Sequence, residues 1–353
     1  METALSLTLE EIPTGTHERA VLCRDPEAGY RGIIAIHSTA AGTAAGGTRY
    51  WTYAREEDAL VDALRLSRGM TYKSLMAGLP LGGGKSVVLR DAASEAAGRE
   101  TVFRAHGRAV ERLGGLYITA EDVGTSQADM EIIRQETRHV AGVLDDPSPD
   151  TARGVLRALA AAARHRWGTD DLAGRTVAIQ GCGNVGFHLA RGLAAAGARL
   201  IVADVDAGRV RRAVEATGAR AVDPEEILSV EADVLAPCAL GGTLSARTIP
   251  GLRVEIVAGA ANNQLWEDGD GRRLSERGIL YAPDYVANAG GVIGGCREIL
   301  GWSAEEARRR IHGIYDTVLD VLRLAQAEGL PSHAAADRLA EQRLATLEAE
   351  RRR

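Results

Sequence analysis

The 353-residue sequence predicts an α/β protein of two domains, and three observations lead there. The chain is long for one hydrophobic core. Short buried-strand patterns alternate with amphipathic helical ones along most of its length. Its second half holds a strand, a glycine-rich turn, a helix and a second strand in that order, behind a clear linker.

Composition narrows the class of partner. Hydrophobic residues make up 45% and charged residues 25%, as in an ordinary globular protein. A net charge of −6, a pI near 5.8 and scattered basic residues argue against nucleic acid. The terminal Arg351, Arg352 and Arg353 read as a solvated helix end. No apolar run is long enough to cross a bilayer, and the N-terminus lacks the basic start and apolar core of a signal peptide. Cys23, Cys182, Cys238 and Cys296 are far apart and form no CxxC pair, so a disulfide framework and a zinc site are not expected. Reduced thiols, a cytoplasmic location and no metal are the expectation.

Residues 1–50 read as strands and turns, with a strand at 31–38. A helix is expected from Glu56 to about Gly69, a strand at 85–89 with Lys85 at its start, and a helix from Ser94 to about Leu113. The strand at 116–122 ends in Glu121 and Asp122. Ligands of α/β sheets gather at strand ends, which makes Asp122 a candidate for chemistry. Its alternative role is to cap the helix of about 126–137, which Ser126 could do instead. Residues 145–151 (DDPSPDT) form the linker, with Asp150 or Thr151 expected to cap the next helix.

The stretch at 68–88, RGMTYKSLMAGLPLGGGKSVV, carries Lys73 and Lys85, with Gly82, Gly83 and Gly84 directly before the second lysine. Three glycines are a poor helix or strand interior, but they let a backbone approach a ligand closely. A lysine held there among apolar residues, with a second cation nearby, has a lowered pKa and can act as a base. The plain alternative is a flexible surface loop with two solvated lysines.

Behind the linker, RTVAIQGCGNVGFHLARGLAAAGARLIVADVD supplies a strand, the turn Gly181-Cys-Gly183-Asn184-Val185-Gly186, a helix, and a strand ending at Asp204. In that context the glycine pattern is a dinucleotide-binding fingerprint. The glycines allow a tight turn and close approach of backbone to pyrophosphate, and the helix N-terminus faces the anion. Asp204 is placed to accept ribose hydroxyls and to repel a 2′-phosphate, favouring NAD, a preference that Arg209, Arg211 and Arg212 could soften. The strand–turn rhythm continues at 232–242, 254–263 and 278–295, where Asn262, Asn263 and Asn288 offer polar groups. A capping box at Ser303 and Glu306 starts a helix to about Glu328, stopped by Gly329, and Pro331 opens a terminal amphipathic helix.

Taken together, GGTR (46–49), the stretch at 68–88, TAEDVGT (119–125), DPSPDT (146–151), GCGNVG (181–186), APCALGG (236–242), VAGAANNQL (257–265) and YAPDYVANAGGVI (281–293) resemble the glutamate/leucine/valine/phenylalanine dehydrogenase superfamily, in its branched-chain and aromatic branch. The resemblance implies a substrate-binding and oligomerisation domain at 1–148, joined by the C-terminal helix of about 331–353. It also implies a Rossmann-like, doubly wound NAD-binding domain at 149–330, a cleft between the two, and a homo-oligomer. It gives Lys73 the substrate α-carboxylate, Lys85 the role of base, and Asp122 that of proton shuttle. Gly46 and Gly47 line the carboxylate side, and Ala45, Met70, Ala120 and Val292 form apolar pocket walls. Asn262 fixes substrate and nicotinamide, and Ala260 and Asn288 join Gly181, Gly183, Asn184, Val185, Gly186 and Asp204 around NAD.

The implied reaction is reversible deamination of an apolar L-amino acid to its 2-oxo acid and ammonium. Glutamate-specific relatives carry a lysine where this chain has Ala45, and an unpaired side-chain carboxylate in an apolar pocket is costly. Differences of a methylene, worth about 1–3 kcal/mol, do not rank leucine, valine and phenylalanine here. The competing readings are a dehydrogenase of another small substrate class, and a non-catalytic nucleotide-binding paralogue on the same fold.

Overall fold

The computed structural model describes residues 6–142 and 146–352. The first residue of the expected linker and the last of the three terminal arginines lie outside the described residues. The chain clusters into two units, Met1–Asp145 with Gln342–Arg353, and Asp146–Glu341.

In the first unit, runs of β-branched and small apolar residues form β1 (Thr8–Glu11), β2 (Arg19–Asp25), β3 (Tyr30–Ser38) and β4 (Ala44–Trp51). Helix α1 (Glu56–Met76) follows, then β5 (Gly82–Leu89), α2 (Ala92–Ala97), α3 (Arg99–Glu111), β6 (Tyr117–Glu121) and α4 (Gln127–Arg134). The sheet order is β1-β2-β3-β5-β4-β6, with β4 parallel to both β5 and β6. Strand alternation sends Ile33, Ala35 and Val87 to one face, packed with Ala59 and Ala63 of α1. Ile34, Ile36 and Val88 go to the other, packed with Val102, Phe103 and Val110 of α3.

The glycine run corrects the sequence reading. Gly82, Gly83 and Gly84 lie inside β5, which is buried throughout, so Lys85 sits within the strand and not at its start. A Cβ on Gly83 would stand 2.1 Å from the Thr71 backbone nitrogen, and one on Gly84 would stand 2.6 Å from the Tyr117 ring. These glycines let α1 and an aromatic ring close directly onto the strand, which outweighs their weak strand propensity. Helix α1 likewise runs past Gly69 to Met76, capped at Ala77 and followed by Gly78 (φ +64°), so Met70 and Lys73 are helical.

Other boundaries move for local reasons. The helix expected from Ser94 is two helices parted at Gly98 (φ +84°), and Asp91 caps the first by accepting from the Ser94 backbone at 2.9 Å. Ser126 flanks α4, with the Asp129 carboxylate accepting from its backbone and hydroxyl at 2.7 Å, so Asp122 does no capping.

The second unit opens on α5 (Ser148–Trp167), with Pro147 at the cap position and Asp150 and Thr151 already helical. Asp146 does the capping expected of Asp150 or Thr151, accepting from the Ser148 backbone at 2.9 Å, while Pro149 suits the first turn. Next come β7 (Thr176–Gln180), α6 (Asn184–Ala195), β8 (Arg199–Ala203), α7 (Ala207–Thr217), β9 (Arg220–Ala221), β10 (Val234–Pro237), β11 (Ile256–Val257), α8 (Asp268–Glu276) and β12 (Leu280–Tyr281). All pairings are parallel, in the order β12-β11-β10-β7-β8-β9. This is the doubly wound arrangement, with its switch point between β7 and β10.

The chain finishes with α9 (Asp284–Ala287), α10 (Gly290–Leu300), α11 (Ala304–His312), α12 (Ile314–Glu328) and α13 (Ser332–Arg351). The helix expected from Ser303 to Glu328 is divided at Gly313, and only half of its capping box forms, Ser303 accepting from the Glu306 backbone. In α13 the buried positions are Ala335, Ala336 and Ala340; of the expected stripe, Leu339, Leu344 and Leu347 are half-buried. No helix among the described residues is long and apolar enough to cross a membrane.

Two glycines of the first unit have opposite expected sensitivities. Gly83→Ala should lower stability by about 1–3 kcal/mol or more through overpacking. A Cβ on helical Gly69 meets nothing within 4 Å, so Gly69→Ala should raise it by about 0.5–1 kcal/mol. Denaturant unfolding midpoints check both, and equal midpoints for the two variants would contradict this packing.

Candidate active site

Lys85 is 4% exposed, on the face of β5 covered by α1. Its Nζ lies 2.8 Å from Oδ2 of Asp122, the first residue beyond β6. Arg49 Nε reaches the same oxygen at 3.1 Å from near the end of β4, and its Nη1 meets Asp62 of α1 at 2.7 Å. Asp62 also accepts from the Tyr53 hydroxyl at 2.6 Å and pairs with Arg65 at 3.1 Å. The parallel register β5-β4-β6 is what gathers these groups, because it sets three neighbouring strands side by side at the same height.

The charges shape each other. Burial pushes the Lys85 ammonium below its ordinary value, Asp122 pulls it back up in part, and Arg49 pushes it down further. Burial on its own would raise the Asp122 carboxyl, but Lys85 and Arg49 outweigh it and hold the group below the usual carboxylate range. The site therefore contains an ionised carboxylate against a lysine whose neutral form is made more accessible. That pairing can move protons at a bound substrate.

The other residues singled out in the first unit lie on β4, β6 and α1. Gly47 is aligned with Ala120 across β4 and β6, and a Cβ on it would stand 2.8 Å from Asp122 Cβ. A Cβ on Gly46 would fall 3.4 Å from Met70 Cγ. Lys73 lies one turn beyond Met70 on α1 and is half-buried. Ala45 is buried, aligned with Gly83 on one side and Ile118 on the other.

Beneath the sheet a buried polar chain holds the same strands. The Tyr30 hydroxyl and His106 Nδ1 are 2.9 Å apart, and His106 Nε2 meets Thr48 at 2.9 Å and Ser86 at 3.2 Å. The Tyr117 hydroxyl donates to the Gly46 carbonyl at 2.5 Å. Burial lowers His106 to about 3, so it stays neutral around pH 7.

In the second unit the fingerprint closes on itself at the switch point. Gly181 (φ +99°) leaves 2.9 Å between a would-be Cβ and the Cys238 backbone, and a Cβ on Gly186 would fall 2.0 Å from the Gly181 carbonyl. A Cβ on Gly183 would meet nothing within 4 Å, so open space stands over the turn at the start of α6, beside Asn184 and Val185. The Asp204 carboxylate accepts from the Cys182 backbone at 2.7 Å and the Asp206 backbone at 2.9 Å. Arg209 stands 3.9 Å from it, while Arg212 lies over the Phe187 ring, 4.1 Å from its centroid.

Asn288 donates to the Ala260 carbonyl at 3.1 Å and to Asn262 at 2.8 Å, yet its own Oδ1 is buried without a partner. An orphaned acceptor is expensive unless a ligand donor completes it. The open cradle at Gly183, the helix N-terminus, the acidic strand end and this orphaned amide oxygen together fit a dinucleotide. Val292 is half-buried on α10. Among the described residues no His, Cys, Asp or Glu group forms a metal cluster, and all four cysteines are free.

Sequence reasoning passed over Arg49, Asp62, Tyr53 and His106. Arg49 had a signal, since it ends the GGTR string. The other three carry none, because only the fold brings α1 and α3 to opposite faces of these strands.

Residues 17–139 match the family described as Glu/Leu/Phe/Val dehydrogenase, dimerisation domain, and residues 204–352 match Glutamate/Leucine/Phenylalanine/Valine dehydrogenase. Residues 150–241 also match the NAD binding domain of D-isomer specific 2-hydroxyacid dehydrogenases. Leucine dehydrogenase of Bacillus cereus is 51% identical over 337 residues, 94% of this chain and 92% of that protein. Valine dehydrogenase of Streptomyces albus is 46% identical, across 98% of this chain and 96% of the relative. The crystal structure of L-tryptophan dehydrogenase from Nostoc punctiforme superposes with a TM-score of 0.86 at 43% identity, covering 95% of this chain and 97% of that one. With profiles over most of its length and relatives near half identity, the chain belongs to the Glu/Leu/Phe/Val dehydrogenase family.

Proposed function

We propose that the protein is an NAD-dependent L-amino-acid dehydrogenase acting on apolar side chains. In this reading an L-amino acid, water and NAD+ give the 2-oxo acid, ammonium, NADH and a proton, reversibly. The observation that carries it is the contact of buried Lys85 with half-buried Asp122 at 2.8 Å.

Lys73 neutralises the substrate α-carboxylate, a charge-assisted contact that also orients Cα, and the Gly46–Gly47 backbone lines the same side. Neutral Lys85 takes a proton from water as the water adds to the imino carbon, and Asp122 exchanges a proton with the departing amino nitrogen. NAD, when bound, supplies the hydride acceptor. Gly181, Gly183, Asn184, Val185 and Gly186 hold its phosphates, Asp204 its adenosine ribose, and Ala260, Asn262 and Asn288 its nicotinamide end. The first unit serves substrate and association, and the second serves the cofactor.

Ala45, Met70 and Ala120 of the first unit offer the substrate only apolar side chains, which disfavours glutamate. Preference among leucine, valine and aromatic amino acids rests on pocket volume. A homo-oligomer built through the first unit is supported by the dimerisation domain that residues 17–139 resemble.

The deciding experiment is a panel of L-amino acids assayed with NAD+ and NADP+ at alkaline pH, paired with NADH oxidation on 4-methyl-2-oxopentanoate with and without ammonium. Turnover that needs no ammonium would sink the reading, as would NADH binding with no turnover. Lys85→Ala should abolish deamination while NADH still binds in a fluorescence titration, and Lys73→Ala should mainly raise the apparent substrate constant. Asp204→Ser should shrink the kcat/KM preference for NAD+ over NADP+ by about tenfold or more, since an anion facing a 2′-phosphate is lost; an unchanged ratio would remove Asp204 from cofactor choice.

A further inference from the structure

We propose that Arg49 is a positioning residue of the reaction: braced by Asp62, its guanidinium holds the Asp122 carboxylate in the one orientation in which Lys85 meets it. The inference deepens the dehydrogenase reading and rests on it.

The geometry carries the argument. Arg49 and Lys85 approach the same Asp122 oxygen, at 3.1 Å and 2.8 Å. The opposite side of the guanidinium is anchored to Asp62 at 2.7 Å, and the Tyr53 hydroxyl at 2.6 Å and Arg65 at 3.1 Å fix Asp62 in turn. Side chains of Arg49 and Asp62 are only 18% and 14% exposed, so solvent screens this chain far less than a surface pair. A planar fork with several donors can serve two carboxylates at once, whereas an ammonium serves as a single point of charge. Beyond β6 the Asp122 backbone is pinned too, donating to Thr125 Oγ1 at 2.9 Å, while that hydroxyl reaches the Thr48 carbonyl at 2.9 Å. Backbone and side chain of Asp122 are thus both tied to β4, the strand that carries Arg49.

The arrangement also has an electrostatic consequence. Arg49 stays charged at every working pH, so Asp122 keeps a counter-ion after Lys85 has given up its proton. The same charge opposes protonation of Lys85. Other ionisable groups on the elements around Lys85 include Asp62, Arg65, Arg68, Tyr72 and Lys73 on α1, His37 near the end of β3, and Tyr117 and Glu121 on β6, with Tyr53 between β4 and α1. Of these, Asp62 favours the ammonium.

The test uses Arg49→Gln and Arg49→Lys in the full-length protein, with two readouts. The first is the titration midpoint of Lys85, followed by NMR of 13C-labelled lysine and assigned by its loss in Lys85→Ala. The second is kcat and KM for the best amino acid across pH. Removing the guanidinium removes a charge that holds Lys85 down. In Arg49→Gln the midpoint should therefore rise by about one pH unit, and the acid limb of the kcat profile should move up with it. Its kcat should fall about a hundredfold, as a misplaced catalytic group costs, with KM for NAD+ unchanged. Arg49→Lys should restore the Lys85 midpoint but leave kcat at least about tenfold low, since an ammonium cannot bridge both carboxylates.

Wild-type kcat in Arg49→Lys overturns the proposal, as does an unmoved Lys85 midpoint in Arg49→Gln. Arg49→Lys keeps the charge, so the kcat test survives should the neutral variant fail to fold. A wild-type protein that turns over no amino acid defeats the dehydrogenase reading alone, because the Lys85 midpoint still reports on Arg49.

Discussion

The first unit depends on a line of alternating charge, buried Lys85 and half-buried Asp122, Arg49 and Asp62, laid across three parallel strands and one helix. Desolvation makes each charge in it costly alone. Together they are affordable only because every contact is short and each carboxylate has more than one donor. The line therefore demands a fixed register of β5, β4 and β6 and a fixed seating of α1 on the sheet. Much else in the unit reads as the means of meeting that demand.

Glycine is the chief means. Gly83 lets α1 descend until its backbone meets the strand, and Gly84 admits the Tyr117 ring from the other side. Tyr117 then bonds to Gly46, while Thr48, Ser86 and buried His106 knit the same strands beneath. The second unit solves a different problem with the same residue. Gly181 and Gly186 bring strand and helix together at the switch point, and a Cβ on Gly183 would meet nothing above the turn. In one unit glycine makes space for the protein's own packing, and in the other it also leaves open space above the turn.

This distinction explains where reading the sequence succeeded and where it slipped. The fingerprint at 181–186 was legible because its meaning is local: strand, turn, helix and acidic strand end follow one another within a single supersecondary unit. The run at 82–84 reads locally as a break in structure because its partners, Thr71 on α1 and Tyr117 on β6, reach it only once helix and strands pack. For the same reason α1 was expected to stop at Gly69. Helix propensity penalises glycine there, and only packing against β5 carries the helix on through Met70 and Lys73. The caps near Asp91 and Asp146 were missed by a few residues, within the reach of competing Asp, Ser and Pro signals.

By itself the sequence determined the α/β class, the dinucleotide turn, the family, and the residue types available for chemistry at Lys73, Lys85 and Asp122. Local spacing and distinctive strings suffice for these. Tertiary structure alone decided that Lys85 and Asp122 share a contact, that Arg49 joins them, and that Asp62 and Tyr53 hold Arg49 in turn. Those pairings depend on strand order and helix seating, which arise when distant apolar faces are buried against each other, and no short window of sequence carries that information.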